Sequence, residues 1–208
     1  MARSTHSKGN LRVRETLAYA FYHRPRTGVG RARYEGALLG FHDALARSPT
    51  PGFRGSAALR LPRVTWGPHR DRPLYVDWYV LSGFGDLDPV REVAYRLPWV
   101  DAHRAAAGLF GEGWGSLYAT RGRADPPCAP ATLSWFSAPS GRGAPILRRW
   151  REEGSPNGVL WRRQLALGPS PEYCYFGLTP PPLSLAPRSA VLAPEYLPVP
   201  ALASAGPK

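Results

Sequence analysis

The stretch Tyr75-Val76-Asp77-Trp78-Tyr79-Val80 places one carboxylate between two phenols at every second position. On an extended strand, alternate residues share a face, so Tyr75, Asp77 and Tyr79 stand together opposite Val76, Trp78 and Val80. A carboxylate beside two phenols can take or give a proton, which is general acid–base chemistry. It can equally be a structural charge, because a buried carboxylate must be paired or hydrogen-bonded. Both readings of Asp77 stand at this point, with Arg54 or Arg60 on the preceding strand as the expected partner. Imidazoles are the other groups that titrate near neutrality. His23 ends a strand in Tyr-His-Arg-Pro-Arg, His42 lies one turn beyond Leu38 beside the apolar stripe of a helix, and His103 sits near Asp101 on a second helix. Arg24, next to His23, is expected to bind an anionic substrate oxygen.

Other chemistries lack their motifs. No HExxH or HxH spacing converges on a metal, so no metal site is expected. A zinc ribbon needs CxxC units, but Cys128 and Cys174 are isolated and read as free thiols. No GxSxG occurs; "FRGS" and "GWGS" resemble it loosely. "TGVGRARYEG" lacks the βαβ context of a dinucleotide fingerprint.

The elements that must position these residues are legible. Residues 15 to 24 read as a strand. Residues 31 to 48 read as a helix, with Tyr34, Ala37, Leu38, Phe41, Ala44 and Leu45 recurring at three and four. Residues 53 to 62 and 72 to 84 are strands. Asp88 then Pro89 is a good helix start, with that helix running to about Arg96 and a second segment opening at Pro98. Residues 113 to 121 form a fourth strand. This βαββαβ order is the ferredoxin-like arrangement, a four-stranded antiparallel sheet with two helices on one face. We therefore expect an α+β protein with Val76, Trp78 and Val80 against the helices and the Tyr-Asp-Tyr face turned away from them.

After a linker at 122 to 130 the pattern restarts. Strand 131 to 139, helix 144 to 154 and two strands at 157 to 168 and 172 to 178 repeat βαββ. The predicted organisation is thus a basic disordered tail at 1–13, a ferredoxin-like unit at 14–121 and a degenerate second unit at 131–179. A proline-rich tail at 180–208 is expected to wrap the surface and then lose order.

A family resemblance emerges on "FYHRPR", "YEGALLGFHDALA", "PGFRGSAALRL" and "YVDWYVLSGFGDL". Over residues 15 to 121 the chain resembles dimeric α+β barrel proteins of the antibiotic-biosynthesis monooxygenase, EthD-like and NIPSNAP-like groups. It is most similar to actinobacterial members carrying "HRPR", "GFRGS" and "DWY". The resemblance implies two sheets closing a barrel, here within one chain or in a homodimer, and a small-molecule site inside each half or within the barrel. It is nearly silent on the reaction. Some relatives bind haem through a second-half histidine, yet all five histidines here precede residue 104, so we expect no cofactor.

The composition bounds the rest. The 208 residues suffice for a sizeable core at 43% hydrophobic content, and no apolar run of about 18 residues could span a membrane. No apolar h-region follows the N-terminal charges, which leads us to expect a cytoplasmic protein. The net charge of +12 invites a nucleic-acid reading. Against it, every basic residue except Lys8 and Lys208 is arginine, and the arginines are spread along the chain without interleaved stacking aromatics. Seven tryptophans and ten tyrosines suit a pocket for a flat apolar ligand, with Tyr19, Trp135 and Trp161 as expected walls. The family resemblance implies a cofactor-independent enzyme on a hydrophobic polyketide-like or aromatic metabolite, working by cyclisation, isomerisation, dehydration or oxygenation. Asp77, His42 and His23 would be its acid–base groups, with Tyr19, Arg24, Tyr75, Tyr79, Trp135, Trp161 and His103 binding substrate. The rival is a barrel that binds a ligand or partner without catalysis.

Overall fold

The computed structural model describes residues 15–47, 50–93, 99–129, 131–185, 190–192 and 194–199. The expectations for the N-terminal tail at 1–13 and for the helix run between 94 and 98 lie outside these residues. Among the described residues, nine strands form one antiparallel sheet, and four α-helices accompany it.

The first half contains β1 (Glu15–Pro25), α1 (Arg31–Arg47), β2 (Phe53–Leu61), β3 (Leu74–Leu81), α2 (Leu87–Val93), α3 (Trp99–Ala107) and β4 (Phe110–Arg121). The second contains β5 (Thr132–Phe136), α4 (Gly143–Glu153), β6 (Gly158–Ala166), β7 (Tyr173–Gly177), β8 (Ala190–Leu192) and β9 (Glu195–Tyr196). The order across the sheet is β8-β5-β7-β6-β4-β1-β3-β2-β9. The halves join at β4 and β6, where Leu117 pairs with Leu165 and Ala119 with Arg162. At the far edges β8 pairs with β5 while β9, close behind it in sequence, pairs with β2. One short C-terminal segment therefore holds both edges of the curled sheet, as the curvature of an α+β barrel requires. Within the proline-rich tail, 190–192 and 195–196 supply these strands, because each sheet edge offers unpaired backbone groups that need a partner.

Alternation along each strand sorts the side chains into two faces. The inner face carries Tyr22, Trp78, Trp161, Cys174 and Phe176 into one core shared by both halves. Trp78 meets Trp161 and Phe176 edge-on, at 5.5 and 4.8 Å between ring centres. The outer face of the first half packs against α1 and α3 through Tyr34, Leu38, Phe41, Tyr75 and Trp99. The outer face of the second half packs against α4 through Leu147, Trp150, Tyr173 and Tyr175.

The expected facing of β3 is therefore reversed. Val76, Trp78 and Val80 look into the barrel, and Tyr75, Asp77 and Tyr79 look at the helices. The wholly apolar face of β3 joins the tryptophan-rich core between the two halves. Helix α1, with its own polar side chains, takes the mixed one.

Candidate functional site

Asp77 lies in the middle of β3, paired with Phe21 of β1 on one side and Ala58 of β2 on the other. The small Ala58 leaves room beneath α1, and the imidazole of His42 descends there. His42 Nε2 sits 3.2 Å from one carboxylate oxygen of Asp77, and His23 Nε2, from β1, sits 3.2 Å from the other. Tyr79 donates its hydroxyl to Asp77 Oδ2 at 3.1 Å. All three ionisable groups are buried, with Asp77 3%, His23 1% and His42 0% exposed.

The remaining imidazole nitrogens face hydroxyls. His23 Nδ1 is 2.5 Å from the Tyr34 hydroxyl and His42 Nδ1 is 2.7 Å from Ser56 Oγ. One protonation pattern fits these neighbours: Tyr34 and Ser56 donate to the Nδ1 atoms, and each Nε2–H lies on the Asp77 side. The two Nε2 contacts are ion-pair approaches whose N–H directions fall off the hydrogen-bond line. Burial by itself would raise the Asp77 pKa, yet the two imidazoles outweigh it and hold the carboxyl well below the usual carboxylate range. Burial, and then the charge of Asp77, push the Tyr79 phenol well up. The same two causes raise Tyr34.

Helix α1 explains why these groups converge. Tyr34 and His42 are eight residues apart, about two turns, so both point from one face onto the sheet. Leu38 and Phe41 between them supply the apolar contact that seats the helix.

A cavity of about 500 Å3 adjoins this cluster, between the outer face of the first half and α1, α2 and α3. Its walls include Tyr19, Phe21, Phe41 and Tyr79, with Asp88 and Arg91 among the charged groups at its border. Tyr19 and Tyr79 stack at 6.1 Å. Gly115 of β4 lets Tyr19 lie flat: a Cβ there would stand 2.5 Å from the Tyr19 hydroxyl oxygen. His103 of α3 reaches the same cavity, against Phe41. Burial lowers its pKa, which favours the neutral, proton-accepting ring at pH 7. The carboxylate itself stands one layer back. Phe21 stacks on His23 at 5.1 Å, and Tyr79 stacks on His42 at 5.5 Å.

The structure thus brings together Asp77, His23, His42 and Tyr79, with Tyr19 and His103 across the cavity. Tyr75 lies beside the cluster, stacked on His23, and donates its hydroxyl to Glu35. Three expected ligand-binding residues are placed elsewhere. Arg24 is one residue from His23 and so points to the inner face, where it holds Glu112 and the carbonyl of His69. Trp135 and Trp161 are packed in the barrel core, away from the cavity. The expected arginine partner of Asp77 is also corrected. Arg54 bonds the Ala124 carbonyl and Asp125, and Arg60 pairs with Glu195. Tyr34 and Ser56 were missed by sequence reasoning. The two-turn spacing of Tyr34 from His42 was the available signal for one, and strand alternation at Ser56 for the other.

Among the described residues, no group of three His, Cys, Asp or Glu is placed to hold a metal ion, and no helix is long and apolar enough to cross a membrane. No protein-family model matches the chain, and no curated protein matches it. Among solved structures, the chain is similar to a candidate monooxygenase from Fusobacterium nucleatum subsp. nucleatum at 10% identity, over 80% of this chain and 76% of that one, with a TM-score of 0.49. It is also similar to an anthrone oxidase-like protein at 10% identity, over 78% of this chain and 72% of that one, with a TM-score of 0.44.

Proposed function

We propose that the chain is a small-molecule enzyme that binds a flat apolar substrate in the α1–α3 cavity and moves a proton on it with its own side chains. The observation that carries this reading is the buried Asp77 carboxylate, held ionised between two imidazoles and bonded to a phenol that walls the cavity. His103 and Tyr79 meet the substrate. Tyr79 can accept a substrate proton on its oxygen while passing its own to Asp77, since its hydroxyl is already directed there. His42, its Nε2–H toward Asp77 and its Nδ1 accepting from the half-buried Ser56, holds that carboxylate from one side, and the proton taken up returns to the substrate through Tyr79. His23 and Tyr34 hold the other side of the carboxylate in place. Cyclisation, isomerisation, dehydration and oxygenation of an electron-rich metabolite all begin with such a transfer.

The repeated strand order, β4-β1-β3-β2 and β8-β5-β7-β6, supports two ferredoxin-like units closing an α+β barrel within one chain, the second without a second helix among its described residues. The position of Asp77 behind Tyr79 favours a second reading, a ligand-binding barrel in which the cluster only secures α1 to the sheet. One experiment separates them. 2-Tetralone, a flat ketone with an acidic C–H, is incubated with the protein in D2O and followed by NMR. The enzyme reading expects accelerated exchange, slowed about 100-fold in Asp77→Asn and in His103→Gln. Binding without exchange would establish the second reading, and exchange unchanged in a folded Asp77→Asn would remove Asp77 from the chemistry.

A further inference from the structure

A second depression lies on the same outer face, immediately along the β4–β6 seam from the cavity. The cavity uses Gly115 to Leu117 of β4 with Leu165 and Leu167; the depression uses Ala119 to Arg121 of β4 with Gly158 to Arg162 and Gln164 of β6. It is a groove of about 760 Å3. Five arginines surround it: Arg121, Arg123, Arg148, Arg151 and Arg162. Against them stand two carboxylates, Glu15 and Glu152. These cations are scattered in sequence and come from β4, the turn after it, α4 and β6, so the fold gathers them. None of the five lies within ion-pair reach of a carboxylate among the described residues. Arg121 instead holds the carbonyls of Arg151 and Glu152 at the C-terminal end of α4. That contact compensates the negative end of the helix and leaves four guanidinium groups around a floor that includes buried Trp150 and Leu160.

We propose that cavity and groove are one elongated site for an amphipathic anion, whose apolar body fills the cavity and whose phosphate or carboxylate is held by Arg148, Arg162 and their neighbours. This rests on the reading of the cavity as a ligand site and adds the charge and reach of the ligand. From Leu117 to Arg121 is four residues of strand, about 13 Å, which a medium-length chain spans. Planar guanidinium forks match phosphate and carboxylate oxygens, whereas a neutral tail would leave the arginines unopposed.

The test compares dodecyl phosphate, dodecanoate and 1-dodecanol, each below its micellar concentration, by calorimetry on the full chain. Dodecyl phosphate should bind about tenfold or more tightly than 1-dodecanol, with dodecanoate showing whether a carboxylate serves as well. The Arg148→Ala/Arg162→Ala double variant should lose that preference and keep its affinity for 1-dodecanol. Leu117→Trp, which fills the cavity, should weaken all three ligands. Equal binding of phosphate and alcohol, or a preference that survives the double variant, overturns the proposal. So does a single-stranded oligonucleotide that binds through the same arginines and is not displaced by dodecyl phosphate. Failure of 1-dodecanol itself to bind would instead count against the cavity as a ligand site.

Discussion

On β3 the residues facing the helices are Tyr75, Asp77 and Tyr79; on β7, the central strand of the second half, they include Tyr173 and Tyr175. Both strands carry phenols toward a helix, yet their hydroxyls end differently. Tyr175 donates to the backbone carbonyl of Pro156 at 2.8 Å and packs on Trp150, and Tyr173 stacks on Phe136. Those hydroxyls end on local partners, the Pro156 carbonyl for Tyr175 and the side chain of the neighbouring Glu172 for Tyr173. Tyr79 donates to a buried carboxylate that two imidazoles hold. The helical cover differs in the same direction. In the second half Leu147 and Trp150 of α4 seat directly on the sheet. In the first half α2 and α3 stand beside α1 and leave the cavity. A buried carboxylate and an apolar cavity occur together in the first half, whereas the charge of the second half lies at the rim of the arginine groove, with no buried carboxylate among its described residues. A purely structural role for phenols on such a sheet needs neither a buried carboxylate nor an apolar cavity.

The strongest way to break this contrast is at Asp77. Asp77→Ala leaves two imidazoles and a phenol without their acceptor, and should cost about 4 kcal/mol in urea unfolding while abolishing proton exchange on bound 2-tetralone. A loss of stability alone would make the two halves functionally equivalent. Leu147→Ala in the second half should cost about 3 kcal/mol through its cavity and leave ligand affinity at the first-half cavity unchanged. The Asp77 carboxyl titrates lower when folded than the ordinary value near 4. Its stabilisation is therefore complete above about pH 4 and declines as the pH falls below it. Acid unfolding of the wild type should show that decline, and Asp77→Ala should flatten it. The finest comparison pairs two tyrosines. Tyr175→Phe and Tyr79→Phe should each cost about 1 kcal/mol, but only Tyr79→Phe should slow exchange, by about tenfold or more.

Much of the architecture was legible because hydrophobic period and turn residues act locally. The strand over 15–24, the helix over 31–48 and the restart after 131 were read within a few residues of their observed ends. Asp77 and His42 were singled out because a carboxylate on an otherwise apolar strand and an imidazole beside an apolar stripe break the local pattern. The direction of the β3 faces was not legible, since period two groups residues into faces without saying which neighbour each face meets. Arg24 illustrates a signal that was present and unused: alternation alone puts it opposite His23. Trp135 and Trp161 illustrate one that was absent, because nothing local distinguishes a tryptophan in a barrel core from one in a cavity wall.

The sequence by itself determined most of the elements through β7, their order, and the fact that one strand carries a carboxylate among phenols. The tertiary structure decided that His23 and His42, nineteen residues apart, meet on that carboxylate, and that five scattered arginines meet in one groove. The reason is physical. Element formation depends on residues a few positions apart, whereas ion pairing and cavities depend on which faces the strand order and the helix packing bring together.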